Sequence, residues 1–190
     1  MKHIFTLALF CLTTFAFGQW SLKPTVGINI TDASKDTDTH TSSGKIGWQF
    51  GASAVIGRKF YIEPGLFYQQ QSLDFTSSID PSLNIENTMS GIRVPVSIGY
   101  HLLGEESTDL NIRIFGGGSG FFISKVDGDI DKDDISSPQW GVYAGAGVDF
   151  WLMFLDLKYQ WSVTDITSIT QFDVGQTRTF FANLGFRFRF

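Results

Sequence analysis

The last fourteen residues, Thr177–Phe190, constrain this chain more than any other stretch. Phe180, Ala182, Leu184, Phe186, Phe188 and Phe190 share one parity, and the other parity carries Phe181, Asn183, Gly185, Arg187 and Arg189. In a strand, successive side chains point to opposite faces, so this segment presents one apolar side and one increasingly charged side. A globular strand with this pattern buries its apolar face. A membrane strand does the opposite, giving the apolar face to lipid and the polar face to a lumen.

The rest of the chain distinguishes these cases through its charges. Eight alternating segments are expected: Trp20–Thr31, Lys45–Gly57, Phe60–Gln71, Met89–His101, Leu110–Lys125, Gln139–Trp151, Phe154–Thr164 and Thr177–Phe190. Each reaches the roughly 9–11 residues a tilted strand needs to cross a bilayer. Lys23, Lys45, Glu63, Arg93, Arg113, Lys125, Asp149, Asp156, Lys158, Arg187 and Arg189 all fall on one parity of their own segments. The other parity is nearly free of charge, as in Ile92-Val94-Val96-Ile98-Tyr100 or Trp140-Val142-Ala144-Ala146-Val148-Phe150, and Arg178 is its exception. A basic residue facing lipid at mid-depth costs about 2–4 kcal/mol, which is the pressure that produces such segregation. A soluble ligand-binding barrel, the rival all-β reading, shows the reverse arrangement.

Connections support the same architecture. Those after the second, fourth and sixth segments are short (Arg58-Lys59, Leu102–Asp109, Leu152-Met153). Those after the first, third, fifth and seventh are long and polar: Asp32–Gly44, Ser72–Thr88, Val126–Pro138 and Asp165–Gln176. The expected fold is therefore all-β, a closed eight-stranded antiparallel transmembrane β-barrel with short periplasmic turns and long outer loops. Aromatic residues cluster at segment ends, with Trp20, Tyr61, Tyr100, Phe150, Trp151 and Phe190 at the periplasmic side. Trp48, Tyr68, Trp140, Trp161 and Phe180 mark the outer side. Such belts favour the membrane–water boundary.

The N-terminal segment reads as an export signal. Lys2 and His3 precede the mostly apolar run Ile4–Phe17, and Ala16-Phe17-Gly18 is a small-x-small cleavage site, so residues 1–18 form a signal peptide and 19–190 the barrel domain. The apolar run is shorter than the roughly 20 residues of a spanning helix. Cys11 follows the bulky Phe10, which argues against a lipoprotein site, and cleavage removes this single cysteine of the chain. The mature chain is expected to hold neither disulfides nor thiolate chemistry. A pI near 5.0 argues against nucleic acid as a partner.

Resemblance to a known family rests on four stretches. They are Val26-Gly27-Ile28-Asn29-Ile30, Ile62-Glu63-Pro64-Gly65-Leu66-Phe67-Tyr68, Ile92-Arg93-Val94-Pro95-Val96 and Leu184-Gly185-Phe186-Arg187-Phe188-Arg189-Phe190. The chain resembles the small outer-membrane barrel proteins of Bacteroidota, the PorT-like β-barrel family. That resemblance implies outer-membrane residence and, in one branch, a link to protein secretion and gliding machinery.

Candidate chemistry is sparse. An eight-stranded barrel is just wide enough for side chains to fill its interior. Glu63, Asp149 and Asp156 are expected to meet Arg113, Lys158 and Arg187 in the lumen, with Lys23 and Arg189 nearer the mouth. The cluster reads either as an ion-pair plug or as a proton or ion relay. The run Asp127-Gly128-Asp129-Ile130-Asp131-Lys132-Asp133-Asp134 spaces Asp127, Asp129, Asp131 and Asp133 like the start of a calcium loop. It departs from the EF-hand pattern, with Lys132 in place of the turn glycine and Pro138 in place of the bidentate glutamate. A solvated acidic loop and a weak divalent-cation site that bridges lipopolysaccharide phosphates are its two readings, and no other cofactor is expected. His40, placed in an outer loop, and His101, placed at a periplasmic strand end, are the mature chain's two histidines, and neither lies near a nucleophile motif. A non-catalytic, monomeric accessory protein acting through its loops is therefore expected, with outer-membrane lipid, lipopolysaccharide and other envelope proteins as partners. The rival class is an outer-membrane enzyme acting on lipid or surface peptide.

Overall fold

In the computed structural model, residues 20–33, 40–44, 46–77, 85–104, 109–127, 137–164 and 177–190 are described. Ten strand segments follow in order: β1 (Trp20–Ala33), β2 (His40–Gly44), β3 (Ile46–Gly57), β4 (Phe60–Ser77), β5 (Ile85–Leu103), β6 (Leu110–Asp127), β7 (Gln139–Phe150), β8 (Met153–Ser162), β9 (Thr177–Phe186) and β10 (Phe188–Arg189). They make eight staves. β2 and β3, separated only by Lys45, both pair with β4, while β9 and β10 both pair with β1. Every pairing is antiparallel between neighbouring staves, and β1 returns to β9 through registers from Thr25↔Gly185 to Ala33↔Thr177. The sheet therefore closes on itself and leaves no edge, as a lipid environment requires.

Closure is completed at the rim. The Phe190 amide donates to the Trp20 carbonyl at 3.0 Å, and the two rings stack 4.4 Å apart. The same rim carries the tight turns Arg58–Lys59 and Trp151–Leu152. There the Trp151 amide donates to the Asp109 carbonyl, and the Arg187 amide to the Leu152 carbonyl. Trp151 adopts φ 54°, a left-handed conformation uncommon for a residue with a side chain, and Gly57 before the other turn has φ 121°. In outer-membrane barrels the rim with short turns is the periplasmic one.

The expected inside–outside assignment is observed. Lys23, Glu63, Arg93, Arg113, Asp149, Asp156, Lys158 and Arg187 are buried, whereas Val26, Ile28, Val94, Val96, Ile98, Val142, Val148, Leu155 and Leu157 are exposed on the wall. Two residues depart from it for local reasons. A bulge opposite Ser90/Gly91 shifts the register of β6, so Lys125 becomes exposed instead of lumenal. Tyr61, expected in the periplasmic belt, has the parity of Glu63 and is buried in the lumen. Lys45 lies outside the described residues.

Strands also run further outward than expected. The β4–β5 ladder continues to Phe75↔Ile85, well into the expected loop Ser72–Thr88, and β2 occupies part of the expected loop Asp32–Gly44. Apolar alternation marks a strand only where one face meets lipid or a core. Above the membrane boundary, backbone pairing continues through a largely polar stretch, in which Leu73, Phe75 and Ile85 are too few to mark a strand. Pro64 and Pro95 interrupt the ladders around them. Pairing of β4 with β5 is interrupted between Pro64↔Val96 and Phe67↔Arg93, and that of β4 with β3 between Ser53↔Gly65 and Ile56↔Ile62. A residue without an N–H breaks both ladders locally.

Candidate functional site

Alternating parity sends polar side chains from every stave into the lumen, where they meet in two layers. The periplasmic layer is an ion-pair network. Lys23 Nζ donates to Glu63 Oε1 and to Asp156 Oδ2, each at 3.0 Å. Arg113 donates through Nε to Asp149 Oδ1 at 3.0 Å, through Nη1 to Glu63 Oε2 at 3.4 Å, and through Nη2 to Asp156 Oδ1. Arg187 Nη1 donates to Asp149 Oδ2, and its Nε donates to Ser21 Oγ at 3.0 Å. Ser53 Oγ donates to Glu63 Oε1 at 2.7 Å. All six carboxylate oxygens of Glu63, Asp149 and Asp156 thus accept from a cation, and three acids balance three bases.

The network joins β1, β4, β6, β7, β8 and the β9–β10 junction across the barrel axis. Lys23 and Asp149 have no accessible surface, and Arg113 and Asp156 are 1 % exposed. Buried charges of this kind are tolerated only when paired and hydrogen-bonded. No network carboxylate has an oxygen without a donor.

Of the six residues expected to cluster, Glu63, Arg113, Asp149, Asp156 and Arg187 do so. Lys158 does not form an ion pair among the described residues. Its ammonium lies over the rings of Phe115 and Tyr143, at 5.4 and 5.8 Å from their centroids. Lys23, expected nearer the mouth, takes the central position instead. The strand tilt of a closed barrel explains the exchange, because residues at one height come from different positions along successive staves.

Among the described residues the outer layer is neutral apart from Arg93 and Lys158. Arg93 packs 4.3 Å from the Phe181 ring centroid and donates to Gln160 Oε1 at 2.6 Å, which also accepts from Ser119. Gln49 donates to Asn183, Gln69 to Gln71, and Thr31 bonds Thr179. Side chains from opposing staves therefore meet at both levels of the lumen. Arg93 was legible as lumenal but not as the centre of a separate layer, because its partners are rings and amides without charge.

His101 belongs to the periplasmic layer rather than to an accessible strand end. It is fully buried, its ring centroid lies 5.1 Å from that of Tyr61, and neither ring nitrogen has a hydrogen-bond partner among the described residues. His40 lies on β2 opposite Ser77, not in a loop. The expected cation loop falls outside the described residues beyond Asp127, where β6 ends. Among the described residues, no group of three or more His, Cys, Asp or Glu side chains is arranged to hold a metal ion.

A closed barrel with an apolar exterior and a charged, filled lumen is the architecture of outer-membrane proteins, and sequence comparison agrees. The profile described as "Outer membrane protein beta-barrel domain" matches residues 14–168. The chain belongs to that family. No curated protein sequence matches this member. Among solved structures it is similar to the outer membrane protein OprG from Pseudomonas aeruginosa, with 12 % identity and a TM-score of 0.59. That alignment covers 91 % of this chain and 96 % of OprG. It is also similar to Neisserial surface protein A, with 13 % identity and a TM-score of 0.51 over 90 % of this chain and 97 % of that one. At these identities the likeness concerns the fold.

Proposed function

We propose that this outer-membrane barrel is a non-catalytic accessory protein that presents its outer loops to envelope or surface partners while its wall anchors it in the bilayer. The observation that carries this reading is the saturated ion-pair network, in which every carboxylate oxygen is engaged and the lumen is crossed by paired side chains. A filled lumen supports neither bulk solute passage nor a buried catalytic centre. The connections between β1 and β2, β4 and β5, β6 and β7, and β8 and β9 then remain as the parts free to vary with function. Residues 1–18 act as the export signal in this reading. The PorT-like resemblance favours a role beside secretion or adhesion machinery.

Site-specific photo-crosslinking in cells tests the reading. A crosslinker at positions 80, 130 or 170 is expected to give discrete protein adducts, and one at lumenal Gln69 or Asn183 none. Variants with residues 78–84 and 128–136 replaced by Gly-Ser turns are expected to keep the folded, heat-modifiable barrel but lose the adducts. Adducts that persist unchanged after loop replacement would contradict a loop-based role.

A further inference from the structure

The wall is not evenly covered. On the lipid-facing side, towards the rim with short turns, Ile56, Phe60, Ile62, Ile98, Tyr100 and Ile114 surround a groove of about 760 Å³. Phe60 and Ile98 are 76 % and 69 % exposed and stand out from the surface. Beside Ile98, on the side away from Ile62, the outward positions of β6 and β7 are Gly116 and Ala144, which register in one row with Ile98 and form the depression. Its floor is backed from the lumen, where the Tyr61 ring closes against Gly99 and the Phe115 ring against Gly145. The depression is therefore a built shape with a packed floor. It is an open groove along the wall, not an enclosed cavity.

Charge marks one end of it. The turn between Ile56 and Phe60 consists of exposed Arg58 and Lys59, and the Lys59 ammonium lies 5.7 Å from the centroid of the groove-lining Tyr100 ring. Tyr100 itself packs on Phe60 at 4.7 Å, so the basic turn and the apolar rim form one continuous surface. An apolar slot in the hydrocarbon region, with two cations at its headgroup end, is complementary to a molecule with a long chain and a phosphate. We propose that this groove holds one acyl chain of an inner-leaflet glycerophospholipid, with its phosphate bound by Arg58 and Lys59. The site distinguishes one lipid from the fluid shell around the rest of the wall.

Native mass spectrometry of the detergent-solubilised barrel tests this with three probes: a phosphatidylethanolamine, a phosphatidylglycerol and a diacylglycerol of identical chains. The wild type is expected to retain one molecule of either phospholipid and to hold diacylglycerol about tenfold more weakly, as loss of a charge-assisted contact implies. Arg58→Gln/Lys59→Gln is expected to lower phospholipid retention to the diacylglycerol level. Gly116→Leu fills the depression, and a Cβ at that position meets only the Tyr143 carbonyl at 3.4 Å, an ordinary contact. This variant is expected to fold, by heat-modifiable migration, and to lose all three lipids. Ala144→Leu provides the same test from β7, and Val26→Leu on the opposite wall is expected to bind like wild type. Retention unchanged in either the charge variant or the groove variants overturns the proposal and leaves only non-specific annular lipid.

Discussion

Phe190 and Trp20 join the two ends of the barrel wall, with the Phe190 amide donating to the Trp20 carbonyl at 3.0 Å and the rings stacked at 4.4 Å. The contact fastens the last stave to the first at the periplasmic rim. Deleting Phe190 removes both interactions and exposes the end of the seam, where unpaired backbone groups in a membrane each cost several kcal/mol. Assembly of the deletion variant is therefore expected to fall sharply, read as loss of the heat-modifiable band in outer-membrane fractions. A Phe190→Leu variant keeps the backbone bond and is expected to assemble better than the deletion.

Two lumenal lysines separate pairing from burial. Lys23 bridges Glu63 and Asp156, whereas Lys158 forms no ion pair among the described residues and lies over the Phe115 and Tyr143 rings. Removing one member of a buried ion pair strands its partners and costs about 3–5 kcal/mol. Lys23→Met is expected to lose that much in reversible urea unfolding. Lys158→Met gives up cation–π contacts of about 0.5–2 kcal/mol and the penalty of burying a charge, so its net change is expected to be far smaller. Equal losses for the two variants would show that burial, not pairing, sets the energetics.

Depth along the wall gives a third test. Val96 is exposed in the middle of β5, and Leu102 at its periplasmic end. Val96→Arg is expected to destabilise the barrel by about 2–4 kcal/mol and Leu102→Arg by about 0–1 kcal/mol. Unfolding of the two variants from lipid vesicles in urea measures the difference. Similar costs would place the bilayer elsewhere on the wall.

The segment 127–134 carries five aspartates and one lysine, a charge of −4 (five acids less one base). Clustered like charges repel unless a cation offsets them. Millimolar calcium is expected to shift the amide resonances of this segment in wild type, and to do so less in Asp129→Asn/Asp131→Asn. Absence of any shift in wild type would identify it as a solvated acidic surface.

Much of this architecture was legible because a membrane makes two demands at once, alternation within strands and strict charge parity between faces. Glu63, Arg113, Asp149, Asp156 and Arg187 were recognisable as a lumenal cluster on that basis alone. Parity does not carry height. Lys23 and Lys158 look equivalent in the sequence, and only the stagger of tilted staves puts one amid the carboxylates and the other between rings. The outward extensions of β4 and β5 were hidden for a related reason, since paired strands above the lipid no longer need an apolar face. Lys125 was misplaced by a single bulge, which reverses parity without any change in composition.

Paired side chains close the lumen, and ionic conductance reads that closure directly. Purified barrel, folded as shown by heat-modifiable migration and reconstituted into planar bilayers, is expected to give a silent baseline with no steady conductance steps at moderate voltage. Uniform, long-lived, ohmic openings of the wild-type protein would contradict it, because they require a continuous water path through the position where Lys23, Arg113 and Arg187 meet Glu63, Asp149 and Asp156.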